Sequence, residues 1–390
     1  MKILVVGGGS GGHITPVLAV ASEIKKLNPE IKIIYVGQKG DSLGEIAKSN
    51  DNVDKFYSIR AGKFRRYNES VIKQLLDLPT IIKNIRDGVF LIVGFIESYV
   101  IIAREKPSVV FSRGSFVAVP VSLAAKMNKV PYVTHDSDPI PSLANKILSK
   151  WAKLHLTALP IELYPYPSEN TINTGIPLNK KFVQIDKKIM ETYRKELNIS
   201  LKAKVLFAIG GGLGAEEINI SLSDIAGHLL DQHKDLYIYN VVGMKNEKRY
   251  NDIYDKNLSE DNRSRMKVIG FTDTVYLYSG ASDVVITRAG ATNLAEFAVQ
   301  NKACIIIPGV HLTSGHQVEN AKILADKNAA VLFNGGNLES GGNRLANAIN
   351  SLLSDPKRRK ELENNIKEFS KPNASTVIAK KLIEISKNET

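Results

Sequence analysis

Cysteine is almost missing from this sequence. Cys304 stands alone among 390 residues, which excludes an internal disulfide and suits a reducing compartment. Its setting, Ala303-Cys304-Ile305-Ile306-Ile307, is that of a buried structural thiol and not of a nucleophile. Long hydrophobic runs are missing as well. Within the most apolar stretch, 71–102, the longest run is Val89 to Ile96, eight residues before Glu97 and too short to cross a bilayer. Neither His311 nor His316 has a cysteine or a third histidine at zinc spacing, so no metal is expected. The opening Met1-Lys2-Ile3-Leu4-Val5-Val6 runs into glycines with no small-residue cleavage site, and is expected to be a first strand and not a signal peptide.

What is present describes a soluble, globular chain, with 43% hydrophobic and 24% charged residues and a length that favours two domains. The formal net charge of +12 points to anionic partners and divides as +7 over residues 1–176 and +5 over 177–390. A local surplus says more. Arg60, Lys63, Arg65, Arg66, Lys73, Lys83 and Arg86 face only Glu69 and Asp77 between residues 60 and 86. Few aromatics lie among them for bases to stack on, which argues against nucleic acid. Aliphatics do, and a patch of Lys63, Arg65, Arg66, Lys73, Leu75, Leu76, Ile81, Ile82 and Lys83 is expected to rest on an anionic membrane surface. An ordinary core helix with a solvated face is the plainer alternative for this patch. The next segment, 89–102, is read as core.

The chain starts twice. Residues 2–6 lead into Gly7-Gly8-Gly9-Ser10-Gly11-Gly12, and Lys204–Ile209 lead into Gly210-Gly211-Gly212-Leu213-Gly214-Ala215, each followed by a helical pattern (Pro16 to Lys26; Glu216 to Leu230). Further strands are expected at Lys32–Val36, Val109–Ser112 and Tyr132–His135, then at Leu236–Val242, Lys267–Ile269, Val284–Thr287, Ala303–Pro308 and Ala330–Phe333. Strand–helix alternation implies an α/β fold of two Rossmann-like units with parallel sheets, joined near 173–185.

Gly7, Gly9 and Gly12 satisfy a dinucleotide fingerprint, so a dehydrogenase must be weighed. Such a site also needs an acidic residue closing the second strand, and here Val36 is followed by Gly37-Gln38-Lys39. The glycines are better read as backbone that approaches an anion at a helix N-terminus, with a ligand-free tight turn as the alternative. A third such loop, Thr287-Arg288-Ala289-Gly290-Ala291-Thr292-Asn293, opens a helix on which Glu296 lies one turn inside. A carboxylate there can accept both hydroxyls of a ribose, unless Glu296 is a plain surface residue.

Four segments occur in order: Gly8 to Pro16; Gly210 to Ala215 with Asn219; Thr287 to Ala291 with Glu296; and His316-Gln317-Val318-Glu319-Asn320-Ala321. Together they resemble the MurG family, peptidoglycan N-acetylglucosaminyltransferases that convert lipid I to lipid II. Phe111-Ser112-Arg113-Gly114-Ser115-Phe116-Val117 with Pro120, and Gly62-Lys63-Phe64-Arg65-Arg66-Tyr67, are similar to further family segments. The resemblance implies a GT-B fold of two Rossmann domains across a cleft. It places an acceptor-binding, membrane-facing domain at 1–174, a UDP-sugar domain at 178–371, and a final helix, 373–387, packed back on the first. It implies a peripheral protein on the cytoplasmic face of the membrane, acting without a cofactor on UDP-N-acetylglucosamine and a polyprenyl-diphosphate-linked muramyl-peptide.

The same resemblance assigns residues. Glu296 takes the ribose, Phe271 and Thr272 the uracil, and Gly290, Ala291 and Thr292 the diphosphate, with Gly211 and Gly212 nearby. Gln317, with His316 and Asn320, reads the sugar. Ser10, Gly11, Gly12, Gly114, Ser115, Phe116 and Asn145 are expected around the acceptor pyrophosphate. Departures fall mostly on the acceptor side: His135-Asp136-Ser137-Asp138 stands for the usual His-Glu-Gln-Asn, Ser115 for a glycine and Asn179 for an arginine, with Gly212 for a serine on the donor side.

The chemistry needs a base for a sugar hydroxyl and positive potential for a leaving diphosphate, which glycine loops and helix dipoles supply without a metal. His13 is the first candidate base and Asp136 the second; a loop-capping imidazole and a turn carboxylate are their structural alternatives. Two other functions stay open at this point: a GT-B transferase with another lipid-linked acceptor, and an inactive nucleotide-sugar-binding scaffold.

Overall fold

Successive residues of a strand face opposite sides of its sheet, and in the central strands of this protein both sides are buried. The computed structural model describes residues 1–9, 11–41, 43–63, 78–211, 214–309, 315–333 and 342–388. The chain divides into two units, Met1–Lys180 with Lys371–Thr390, and Lys181–Ser370.

In the first unit, β1 (Lys2–Val6), β2 (Lys32–Gln38), β3 (Lys55–Ile59), β4 (Val109–Ser112), β5 (Tyr132–Asp136), β6 (Leu154–Thr157) and β7 (Thr171–Asn173) pair in the order β3-β2-β1-β4-β5-β6-β7, all parallel. Ile3 and Val5 pack in one apolar layer with Ile14 and Val17, while Leu4 and Val6 pack in the other with Val117 and Val121. Two-sided burial is why such strands read as unbroken aliphatic runs. The edge strands β3 and β7, and β6 beside β7, are half polar and give no comparable signal.

The helix Ala374–Asn388 belongs to this unit. Its Ile378, Ala379 and Leu382 join the layer of Ile14 and Val17. Glu23, buried on the helix Gly11–Leu27, accepts from Thr376 Oγ1 at 2.6 Å and from Lys180 Nζ at 2.8 Å. Burial alone would raise that carboxyl; these donors hold it below its ordinary value.

In the second unit, β8 (Lys204–Ile209), β9 (Leu236–Val241), β10 (Met266–Ile269), β11 (Val284–Thr287), β12 (Ala303–Ile306) and β13 (Val331–Leu332) pair in parallel as β10-β9-β8-β11-β12-β13. Leu206 and Ala208 face one apolar layer, Val205, Phe207 and Ile209 the other. Cys304 is buried, and burial pushes its thiol up to about 12.

The reading of 89–102 as core holds for its inner side, where Phe95, Ile101 and Ile102 meet the apolar layer, and needs correction for the outer side. Those residues lie on the helix Leu78–Glu105, where Ile82, Ile85, Val89, Ile92, Ile96, Tyr99 and Val100 are all exposed, Ile92 by 63%. The inward face carries Thr80, Asp87, Gly94, Ser98 and Ile102. Close approach explains the small residues: a Cβ on Gly94 would collide with the Arg60 carbonyl, and one on Gly62 with that of Asp87. Arg60 and Glu97 lock the same contact, Nη1 to Oε1 at 2.7 Å. The helix is therefore apolar on both sides: Ile102, Phe95 and Ile101 pack against the layer of Leu4 and Val6, while the exposed residues from Ile82 to Val100 line the outer face. None of the described helices is long and apolar enough to cross a membrane.

Candidate active site

A parallel sheet binds ligands beyond its carboxyl edge, where the strand order reverses. In the first unit the chain leaves β1 for β2 on one side and later returns to β4 on the other, so the crevice lies past β1 and β4. Past β1 come Gly7–Gly9 and the start of the helix Gly11–Leu27; past β4 come Arg113, Gly114 and Ser115. Gly114 has φ +73°, and a Cβ there would meet Ser142 Oγ at 2.8 Å, so the turn requires glycine. Gly9 N–H donates to Asp41 Oδ2 at 2.8 Å, and the ring of Phe116 lies against Gly9.

His13 projects from the first turn of that helix. Its Nδ1 lies 3.0 Å from the Arg113 carbonyl, an acceptor only, so Nδ1 carries the proton and Nε2 the lone pair. Burial, and then the Arg113 cation, draw His13 down to about 4, leaving a neutral imidazole at physiological pH.

Asp136 ends β5 and is 4% exposed. Its Oδ2 accepts from Tyr166 Oη at 2.7 Å and its Oδ1 from the Ser142 amide at 3.4 Å. Burial raises the carboxyl above its ordinary value, though these donors oppose it. His135 is 1% exposed, and burial followed by Arg113 takes it down to about 3. Asn145 is fully buried, and its Nδ2 donates to the His135 carbonyl at 2.9 Å. It stands behind the Gly114 turn, not on the crevice surface.

The second unit repeats the plan. Its crevice lies past β8 and β11, at Gly210-Gly211 and at Arg288–Gly290. Gly290 caps the helix Ala291–Val299, so no cap side chain competes for the first helical amides. Among the described residues, no atom beyond the chain neighbours comes within 4 Å of where a Cβ on Gly211 or Gly290 would stand. Thr292 and Glu296 share a face of that helix, Glu296 being half-buried. Arg288 Nη2 pairs with Glu217 Oε2 at 2.8 Å, joining the segments after β11 and β8.

Neighbouring loops of the same edge supply the rest. Past β10, Phe271 is 48% exposed and the Thr272 and Thr274 hydroxyls are 2.8 Å apart. Past β12, Gln317 Oε1 accepts from Gly309 N–H at 2.9 Å, and buried Asn320 donates to the Ala289 carbonyl at 3.0 Å, bracing the Gly290 turn. His316 Nδ1 is buried without a partner among the described residues.

Ser10, Gly212, Arg65, Arg66, Lys73, Leu75 and Leu76 lie outside the described residues. Lys63, Ile82 and Lys83 are exposed and Ile81 is half-buried. Sequence reasoning passed over Arg113, Tyr166, Asp41 and the Arg288–Glu217 pair. Aligning Val109–Gly114 with Val284–Ala289 would have shown an arginine just past the equivalent strand in each half.

Residues 3–157 match the glycosyltransferase family 28 N-terminal domain, and residues 205–381 match its C-terminal domain. Tandem parallel sheets with these matches define a glycosyltransferase of the GT-B type. A crystal structure of Acinetobacter baumannii MurG shares the fold, with a TM-score of 0.70 at 21% identity over 98% of this chain and 100% of that one. The chain is also 31% identical over 383 residues (98% of it, 96% of the relative) to the UDP-N-acetylglucosamine–N-acetylmuramyl-(pentapeptide) pyrophosphoryl-undecaprenol N-acetylglucosamine transferase of Borreliella burgdorferi, and 36% identical to that of Clostridium perfringens over 82% of each. It belongs to this transferase family.

Proposed function

We propose that this chain moves N-acetylglucosamine from UDP-N-acetylglucosamine to a polyprenyl-diphosphate-linked muramyl-peptide, inverting the anomeric carbon. The observation that carries the reading is the pair of switch-point sites. One holds a neutral histidine with an oriented lone pair; the other holds a glycine-capped helix bearing a carboxylate. His13 Nε2 takes the proton of the acceptor hydroxyl as its oxygen bonds to C1 of the sugar. The C1–O bond to the diphosphate breaks, and UDP leaves with the electron pair. The amides of Gly290, Ala291 and Thr292 receive the negative charge, Glu296 holds the ribose, and Phe271 with Thr272 flanks the uracil. Gln317 and His316 read the sugar on a turn that Asn320 braces. Gly11, Gly12, Gly114, Ser115 and Phe116 surround the acceptor diphosphate.

If Glu296 holds the ribose, Glu296→Ala weakens UDP binding by about 1–3 kcal/mol, the scale of a lost charged hydrogen bond. Calorimetry showing unchanged affinity removes it from the site. The wild type should bind UDP and not NAD.

The membrane is the second partner proposed, and the outward apolar face of Leu78–Glu105 supports it. At a rise of 1.5 Å per residue, Ile82 to Val100 extends about 27 Å. Lys63, Lys83 and Arg86 lie near its start, each basic group contributing about 1 kcal/mol near an anionic surface before screening. Aliphatic contact adds roughly 25 cal/mol per Å² removed from water. Wild type should sediment with anionic vesicles, and Ile85→Glu with Ile92→Glu and Ile96→Glu should cut the bound fraction at least about fivefold with UDP affinity intact. Unchanged sedimentation of this triple variant places lipid contact elsewhere.

A further inference from the structure

Val109-Val110-Phe111-Ser112-Arg113 and Val284-Val285-Ile286-Thr287-Arg288 occupy the same place in the two sheets, the strand across the switch point with an arginine just past it. Each arginine reaches back to the segment after the neighbouring strand. Arg288 finds a carboxylate there, Glu217. Arg113 finds the Gly12 carbonyl, to which its Nη1 donates. That carbonyl lacks its helical donor because Pro16, four residues on, has no N–H. The other arm, Nη2, donates to Ser137 Oγ at 2.6 Å, and the Arg113 carbonyl accepts from His13. One residue, 3% exposed, thus ties the segments after β1, β4 and β5.

We infer that Arg113 is the positioning residue of the proposed base: its carbonyl orients the His13 ring, and its guanidinium fixes the helical turn that carries it. The inference rests on the transfer reaction proposed above. The cation has a second consequence. The charged groups facing His13 are Arg113 past β4, Asp138 past β5 and Lys63 past β3. Arg113 opposes protonation of the ring and Asp138 favours it. With the guanidinium in place, the base stays available as pH falls.

Arg113→Met and Arg113→Lys separate the two effects. With UDP-N-acetylglucosamine and a short-chain polyprenyl-diphosphate muramyl-peptide, Arg113→Met should lower kcat about 10–100-fold, with donor KM within about twofold. The acid limb of kcat, and the His13 ring resonances in an NMR titration, should move up by about one pH unit. Arg113→Lys keeps the charge but not the fork, so it should restore the limb while kcat stays about tenfold low. An unmoved limb and titration in Arg113→Met, or wild-type kcat in Arg113→Lys, overturns the inference, as does a loss confined to thermal stability. If Arg113→Met does not fold, the kcat of Arg113→Lys decides. Should wild type fail to transfer at all, the functional reading falls, and the His13 titration still decides the role of Arg113.

Discussion

His13→Gln is expected to lower kcat by about 10²–10⁴-fold while leaving UDP affinity within about twofold. Glutamine can still donate to the Arg113 carbonyl, so the turn keeps its tie, but its amide is too weak a base to take a proton. The loss therefore reports on proton transfer and not on the loop. Asp136→Asn is the control. Both Asp136 oxygens already accept hydrogen bonds, from Tyr166 and the Ser142 amide, and the carboxylate braces the loop after β5. Its replacement should cost less than about tenfold. If Asp136→Asn proves the worse variant, the base is Asp136 and the proposed roles exchange.

Acidification should destabilise the protein well before its carboxylates protonate. His135 and His13 have folded values of about 3 and about 4, against 6.5 for the free side chain. Both are depressed, so the unfolded chain binds more protons between those values. Their stabilisation is complete above 6.5 and is lost as pH falls toward 4. Linkage gives about 2 kcal/mol for each between pH 7.5 and 5, a large share of a typical folding free energy. Asp136, raised by burial, offsets part of this. Glu105, held at about 2 by Lys55, Tyr57 and Lys2, adds its own loss only below about pH 4.5. Urea midpoints at pH 7.5 and 5.0 measure the effect, and His135→Gln should remove its share of a pH dependence divided among His135, His13 and His155, which burial also lowers. An equal dependence in that variant assigns the acid loss to other groups.

Much of the fold was legible in the sequence because parallel strands buried on both faces cannot hide their composition. Val109–Ser112 and Val284–Thr287 are aliphatic runs closed by turn residues, and they form strands with those bounds. The sequence pattern puts the first helix at Pro16 to Lys26. It begins at Gly11 instead, because a side chain 101 residues away, Arg113, meets the carbonyl that the proline leaves open. No local pattern contains that contact. The helix Leu78–Glu105 misled for another reason. Apolar residues usually point inward, but this helix has them on two sides: Phe95, Ile101 and Ile102 meet the core, close approach at Gly62 and Gly94 occupies the rest of the inside, and Ile85, Ile92 and Ile96 face outward. In the candidate site, the glycine loops were legible because the strand ends fix where they fall. Arg113 and Tyr166 were not, since their partners are tertiary.

The central claim is transfer to a lipid-linked muramyl sugar, and product formation tests it most directly. Purified protein is incubated with UDP and sugar-labelled UDP-N-acetylglucosamine and a short-chain polyprenyl-diphosphate muramyl-pentapeptide. The account predicts that sugar label enters the lipid fraction in a β-linkage, with one UDP released per sugar transferred. Label that stays on the nucleotide, or appears only as free N-acetylglucosamine, contradicts it.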